Sequence, residues 1–468
     1  MVATVTLTIG EREDVRAFMR RMFREGLPHD RRDVAMAWTP ADFASQSREQ
    51  MLFGFWGAEV PGSGAWDAMF VGAFVSKADL GFEVGHAEPI LREGLAARQH
   101  GDIDRCVCLG DDLLEALDTA PRIEQHTAHA YRWRPMFRSH ATLPGRLSLD
   151  WAERVRAGWI GQLAGAAFGG PFEGCSGQAI EKLYGSVNRY VGRPDTLNDD
   201  CVYELLALDV LETVGRSASP ADFGVMWKDR LEFAWSAEWI ALENLKEGIT
   251  APRSGWRRNP MHDWVGAQMR GMVFGLVAPG WPLEAARLAQ LEASVSHVGS
   301  GIDAGVFSAV LTSYAFVHEN VRDIVRASVA LFSGTDSEFS AVIRSCLDVC
   351  TRTTDGDVAR IELLARFEER YWIHSFPNIA AVLVALWFGE GDFTRSMAII
   401  AKCGLDSDCN GGLVGTILGV MNASVPSWWA NPLEGRLDTY VASIGTVAIE
   451  TVVHQTVQVG EALRFSAR

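Results

Sequence analysis

No apolar run in the 468-residue sequence is long enough to cross a bilayer. The longest, IAAVLVALWF at residues 379–388, falls well short of the ~20 residues a spanning helix needs and reads as a buried core helix. The opening MVATVTLTIGEREDV has neither a basic n-region nor an apolar h-region, so no secretory signal is read there and a cytoplasmic location is the expectation. The eight cysteines include no Cys-x-x-Cys pair. Cys106 and Cys108 lie close but lack the partner cluster of a zinc site, so reduced, buried thiols are expected. Positive charge is scarce: 43 Lys and Arg against 59 Asp and Glu leave a formal net charge of −16. That balance argues against a nucleic-acid partner, which needs clustered cations against phosphate. There is no GxGxxG after a strand, no GxxxxGKS/T and no HExxH, which argues against dinucleotide redox, P-loop phosphotransfer and zinc-protease chemistry.

What is present is globular: 48% apolar and 22% charged residues, on a chain long enough for two or three domains. Residues 1–145 carry many charges and several Pro and Gly breaks, and read as an N-terminal extension of unknown role. One helix is legible there over 11–23, with Val15, Phe18, Met19, Met22 and Phe23 on one face. Residues 135–144 read as a connector. From residue 150 to 468 the chain is a succession of helical windows with almost no strand-like alternation. Apolar spacing predicts helices over 200–214, 263–276, 282–295, 305–317, 321–331, 357–371, 379–388 and 412–421. Many helices joined by short loops imply an all-α domain.

Two windows carry glycine about every fourth residue: Gly158, Gly161, Gly165 and Gly169, then Gly411, Gly415 and Gly419. Each interior glycine costs a helix about 1 kcal/mol relative to alanine. Close packing of two bare helix faces offsets that cost.

Two acidic clusters stand at helix entries: Asn198, Asp199 and Asp200, and Asp406, Ser407, Asp408, Cys409 and Asn410. Capping is one explanation, since Asp and Asn suit the first turn of a helix. Two like-charged pairs beside apolar helices, with no Lys or Arg in either window, strain it. Buried carboxylates are paired, protonated or bound to a cation. Oxygen ligands without histidine indicate a hard ion, magnesium first and manganese or calcium as alternatives. Four carboxylates suffice for two ions bridged by one side chain, an arrangement that clamps a substrate oxygen and activates water.

In order, the blocks GWIGQLAGAAFGGPFEG (158–174), LNDDCVYELLALDVLE (197–212), the long segment 264–302 containing SVSHVGSGI, HSFPNIAAVLVALWFGEGDF (374–393) and CGLDSDCNGGLVGTILG (403–419) resemble the ADP-ribosylglycohydrolase superfamily. The resemblance does not reach residues 1–145. It implies a compact orthogonal multi-helix bundle with a two-magnesium centre, hydrolysing a ribosidic N- or O-glycosidic bond in an ADP-ribosylated or ribosylated substrate, protein-linked or small. The positions matching the family's metal motifs are Asn198, Asp199, Asp200, Asp406, Asp408 and Cys409. Asn198 stands where the family usually has Thr or Ser, and Cys409 likewise.

Glu173, Asp199 and Asp408 are the expected catalytic residues, with Glu173 as general acid/base at the end of the glycine-rich helix. His297, Gly299 and Gly301 are expected substrate contacts, as are His374 and Asn378; for the histidines, a helix cap or a core partner is the competing reading. Two further functions stand beside hydrolysis of ADP-ribosyl groups. One is a specialised metabolic enzyme acting on a small NAD-derived or ribosylated metabolite; the other is a non-catalytic ADP-ribose-binding or structural protein.

Overall fold

Bare glycine faces allow two helices to touch backbone to backbone, and two helices here do so. The computed structural model describes residues 8–32, 39–123 and 150–467. In it Trp151–Gly169 lies along Ser407–Asn422. A β-carbon at Gly165 would stand 1.9 Å from the Gly411 carbonyl oxygen, and one at Gly161 would stand 2.1 Å from that of Gly415. At Gly169 the obstacle is the Ser407 carbonyl oxygen, again at 2.1 Å. The glycines thus set the separation of the central pair, and the pair sets where each helix ends.

Around that pair the architecture is all-α. Ser375–Gly389 is buried along its whole length, as its unbroken apolar run requires. Asp199–Val214 and Ser300–Ala315 are buried over most of theirs. Strands among the described residues form three two-stranded antiparallel ladders. Among the described residues no helix is long and apolar enough to cross a membrane. All eight cysteines are free, and all but the exposed Cys108 are buried.

Two helical windows differ from their apolar spacing. The window 263–276 divides into Gly266–Arg270 and Met272–Val277. At the break, a β-carbon on Gly271 would lie 2.2 Å from the Gly305 carbonyl oxygen, so a crossing helix occupies the space a side chain would need. The window 357–371 is helical only over Gly356–Arg366. Its remainder turns and carries Tyr371 and Trp372 into the contact described next.

The N-terminal region packs into the same apolar core. Its first helix is Val15–Glu25, capped by Asp14, whose carboxylate accepts from the Arg16 and Ala17 N–H groups. Arg48–Phe55, Met69–Asp79, Glu88–Gln99 and Ile103–Asp118 follow. Polar ties fix it in place. Buried Asp67 accepts from the Tyr371 hydroxyl and, at 3.1 Å, from Trp372 Nε1. Trp264 Nε1 donates to Ser76 Oγ at 2.8 Å. The expected connector at 135–144 lies outside the described residues.

Candidate active site

The central helix pair brings two distant acidic motifs to one end. Asn198 caps Asp199–Val214, its Oδ1 accepting from the Asp200 N–H at 2.9 Å. Asp199 and Asp200 therefore occupy the first turn, where the positive helix end favours acids. Asp406 holds the equivalent position before Ser407–Asn422, yet its carboxylate makes no capping bond. Capping explains Asn198 but not Asp406.

Buried Asn378 shapes the second motif from beneath. Its Oδ1 accepts from the Asp406 N–H at 3.2 Å and from Asn410 Nδ2 at 2.7 Å. Its own Nδ2 donates to the carbonyls of Trp372 and His374. Leu405 just ahead has φ +66°, a strained conformation for a branched residue. It is held by the antiparallel pairing of Cys175–Ser176 with Gly404–Leu405. The Gly174 N–H also donates to the Leu405 carbonyl at 2.9 Å. This short ladder carries Glu173 to the same place, while Ser407 Oγ donates to the Gly169 carbonyl at 2.9 Å.

The motifs meet. Asn198 Nδ2 donates to Asp408 Oδ2 at 3.3 Å, and Cys409 Sγ to Asp200 Oδ1 at 3.4 Å, although 209 residues separate that second pair. Two groups of potential ligand atoms each fall within 4.8 Å: Asp200, Asp408 and Cys409, and Glu173, Asp406 and Asp408. Asp408 belongs to both. Asp200 Oδ2, Asp406 Oδ1 and Asp408 Oδ1 are buried with no hydrogen-bond partner. Leaving one such oxygen unmade costs about 1–3 kcal/mol, more when charged. A divalent cation is the group these atoms fit.

Electrostatics agrees. Burial first, then the Asp408 carboxylate, pushes Asp200 and Glu173 well above the usual carboxylate range. Burial, then Asp406, does the same to Asp408. Asp199 is pushed up to about 7 by burial, then by Asp408 and Glu238. Burial holds Cys409 as a neutral thiol, a donor to Asp200.

The sign of the resulting pH dependence follows. With its folded value near 7 against an ordinary 3.8, folded metal-free protein keeps a proton on Asp199 that the unfolded chain releases. That stability is present at low pH and is lost as pH rises through about 7. In chelator, the melting temperature is therefore expected to fall between about pH 5 and pH 8, and to fall less in Asp199→Asn. Equal slopes in scanning calorimetry would remove Asp199 from the account.

The acids open into a cavity of about 380 Å³, lined by Glu173, Asn198, Asp199, Asp406, Asp408 and Cys409. Asp200 lies behind them, fully buried. His297, Gly299, Gly301, His374 and Asn378 are outside that lining. His374 caps Ser375–Gly389: Nδ1 accepts from the Phe376 N–H, so Nε2 carries the proton toward Asp263 Oδ2 at 3.0 Å. His297 is wholly buried, with Nδ1 2.7 Å from Ser296 Oγ and Nε2 3.8 Å from Glu238. Gly299 has φ +55°, and Gly301 is glycine because the His262 carbonyl lies 2.4 Å from where its β-carbon would be.

Sequence reasoning missed Glu238, Asp195 and Tyr440, which also line the cavity. Glu238 is anchored by buried Arg270, whose Nε is also shared between the two carboxylate oxygens of Glu292, at 2.8 and 2.9 Å. An acid within the apolar stretch WSAEWIAL was the available signal for Glu238. Asp195 and Tyr440 left none.

Comparison with known proteins agrees with this architecture. The profile of the ADP-ribosylglycohydrolase family matches residues 147–458. An uncharacterized protein of Archaeoglobus fulgidus is 25% identical over 300 residues, covering 61% of this chain and 92% of its own. Among solved structures, an ADP-ribosylglycohydrolase-related protein complex shares the fold at a TM-score of 0.50 and 18% identity, covering 67% of this chain and 99% of that one. The family profile spans most of the chain and contains both acidic motifs and Glu173, so this protein is a member of the ADP-ribosylglycohydrolase family, whose members are hydrolases that cleave glycosidic bonds.

Proposed function

We propose that this protein hydrolyses a ribosidic bond of an ADP-ribosylated substrate with magnesium as cofactor. One observation carries the reading: buried, unpartnered carboxylate oxygens from two distant motifs converge on a cavity that Glu173 also lines. Asp199, Asp200, Asp406 and Asp408 would hold the ions, with Asp408 shared. When bound, such ions supply Lewis acidity toward water and counter-charge for sugar hydroxyls. Asn198 keeps its amide oxygen on the Asp200 N–H and orients Asp408 through its nitrogen. Cys409 orients Asp200 in the same way.

In the reaction, a water oxygen bonds to the anomeric carbon, the bond from that carbon to nitrogen or oxygen breaks, and the leaving group takes a proton. In this reading Glu173 gives its proton to the leaving group and regains one from the attacking water. Glu173→Gln keeps the shape and removes the ionisable carboxyl group. It is expected to lower kcat by about 10²- to 10⁴-fold, in a protein that still folds and melts cooperatively. Full turnover by this variant would end the acid/base role.

A small ribosylated metabolite is the second reading. It is favoured by the additional cavity wall that Phe43, Gln50, Met51, Val60 and Met69 contribute from ahead of the family match. A magnesium-dependent turnover screen of ADP-ribosyl-arginine, ADP-ribosyl-serine, O-acetyl-ADP-ribose and simple ribosides separates the two. Turnover of none of them overturns both.

A further inference from the structure

The cavity wall is strongly acidic, and its two cations differ in kind. Arg193 is three-quarters exposed and sits 3.9 Å from Glu434 Oε1. Arg98, in the last turn of Glu88–Gln99, is held in place. Its Nε donates to the Gly57 carbonyl at 2.7 Å, and its guanidinium lies over the Phe53 ring, 4.1 Å from the centroid. Backbone and ring together fix the plane of the fork. Among the described residues, neither Nη1 nor Nη2 has a hydrogen-bond partner and no carboxylate pairs with them. Burial pulls this guanidinium below its ordinary value, as expected for a cation without a counter-ion.

A structural role would end at the Gly57 carbonyl, which needs a single N–H. The remaining two-nitrogen edge matches the oxygens of a phosphate in bidentate fashion. One turn before Phe53 on Arg48–Phe55 stands Gln50, also in the wall. Its Oε1 is committed to the Ser47 N–H at 2.8 Å, which leaves its amide nitrogen as a second donor. Acids at one part of the cavity repel an anionic ligand, so a diphosphate needs a cation elsewhere in it.

We propose that Arg98, assisted by Gln50, forms a phosphate subsite for a nucleoside diphosphate group, supplied by the N-terminal region and not by the family-matched segment. This deepens the proposed function and rests on it for the sugar that occupies the acidic end. The N-terminal region then decides which ribosides are accepted: those carrying a diphosphate.

Calorimetric titration of ADP, with adenosine as control, into the magnesium-loaded full-length protein tests the subsite. Wild type is expected to bind ADP more tightly than adenosine. Arg98→Ala is expected to weaken ADP by about 10- to 100-fold and to leave adenosine unchanged. Arg98→Gln retains a donor for the Gly57 carbonyl and is expected to lose ADP similarly, which covers the case in which the alanine variant does not fold. ADP bound equally by the folded variants, or no preference for ADP over adenosine in wild type, overturns the subsite. Turnover of ADP-ribosyl substrates with undiminished ADP binding in the variants removes the subsite and leaves the hydrolase reading standing. ADP binding through Arg98 without any turnover does the reverse.

Discussion

Asp408→Asn is expected to lower kcat by roughly 10³-fold or more and to erase the rise in melting temperature that magnesium gives the wild type. Asp408 is the residue both ligand groups share, so its loss damages both at once. Its Oδ2 accepts from Asn198, a bond the variant's amide oxygen can keep, so what the substitution removes is the charge. The same substitution is expected to raise the melting temperature in chelator near pH 8. There, Asp406 crowds Asp408, and Asp408 crowds Asp199 and Asp200, so removing its charge relieves repulsion that no cation offsets. Stability gained where function is lost is the mark of a binding site held under strain. A helix-capping aspartate predicts the opposite sign, a loss of about 1 kcal/mol on removal. Paired melts with chelator and with magnesium decide between them. A variant less stable in chelator, or one retaining turnover within a few-fold, would falsify the metal assignment of Asp408.

Gly165→Val is expected to destabilise the fold by about 4 kcal/mol or more. In an ordinary helix interior, replacing glycine by a larger residue is favourable, by about 1 kcal/mol for alanine. Here the new β-carbon meets the Gly411 carbonyl oxygen at 1.9 Å, and that carbonyl cannot rotate away without breaking its helix. The helices must part, and Glu173 and Asp408, at their touching ends, must part with them. Activity is therefore expected to fall even in the fraction that folds. Gly412→Ala is the control: it lies in the facing helix, next to Gly411, but its nearest neighbour would be Gln162 Cγ at 3.6 Å, an ordinary contact. It is expected to be neutral or slightly stabilising in the same urea titration. A tolerated Gly165→Val would mean that the pair is not held together at this crossing.

The helical character of residues 150–468, the pairing of two glycine ladders and the carboxylate clusters were legible because each is a local property of the chain. Apolar spacing marks a helix within two turns. A glycine every fourth residue marks a bare face, and two acids beside an apolar helix mark a charge that needs a partner. The order of motif blocks added the family. Where an expected helix broke, at Gly271, a second helix lies against the break, an approach no local pattern encodes.

Which residues face the cavity was settled by contacts between distant segments. Asn378 looked like a substrate contact and braces Asp406. His374 caps its own helix, and His297 sits against Ser296 near Glu238, because burial of a histidine depends on what packs over it. Glu238 reaches the cavity through its bond to Arg270, from a stretch with no motif. The N-terminal region carries no family signature, yet Arg98 and Gln50 stand in the wall, and Asp67 ties that region to Tyr371 and Trp372. Amino-acid order sets local propensity and the chemistry available; the distances between acids, and the burial that raises their proton affinity, arise when segments hundreds of residues apart exclude water from the same volume.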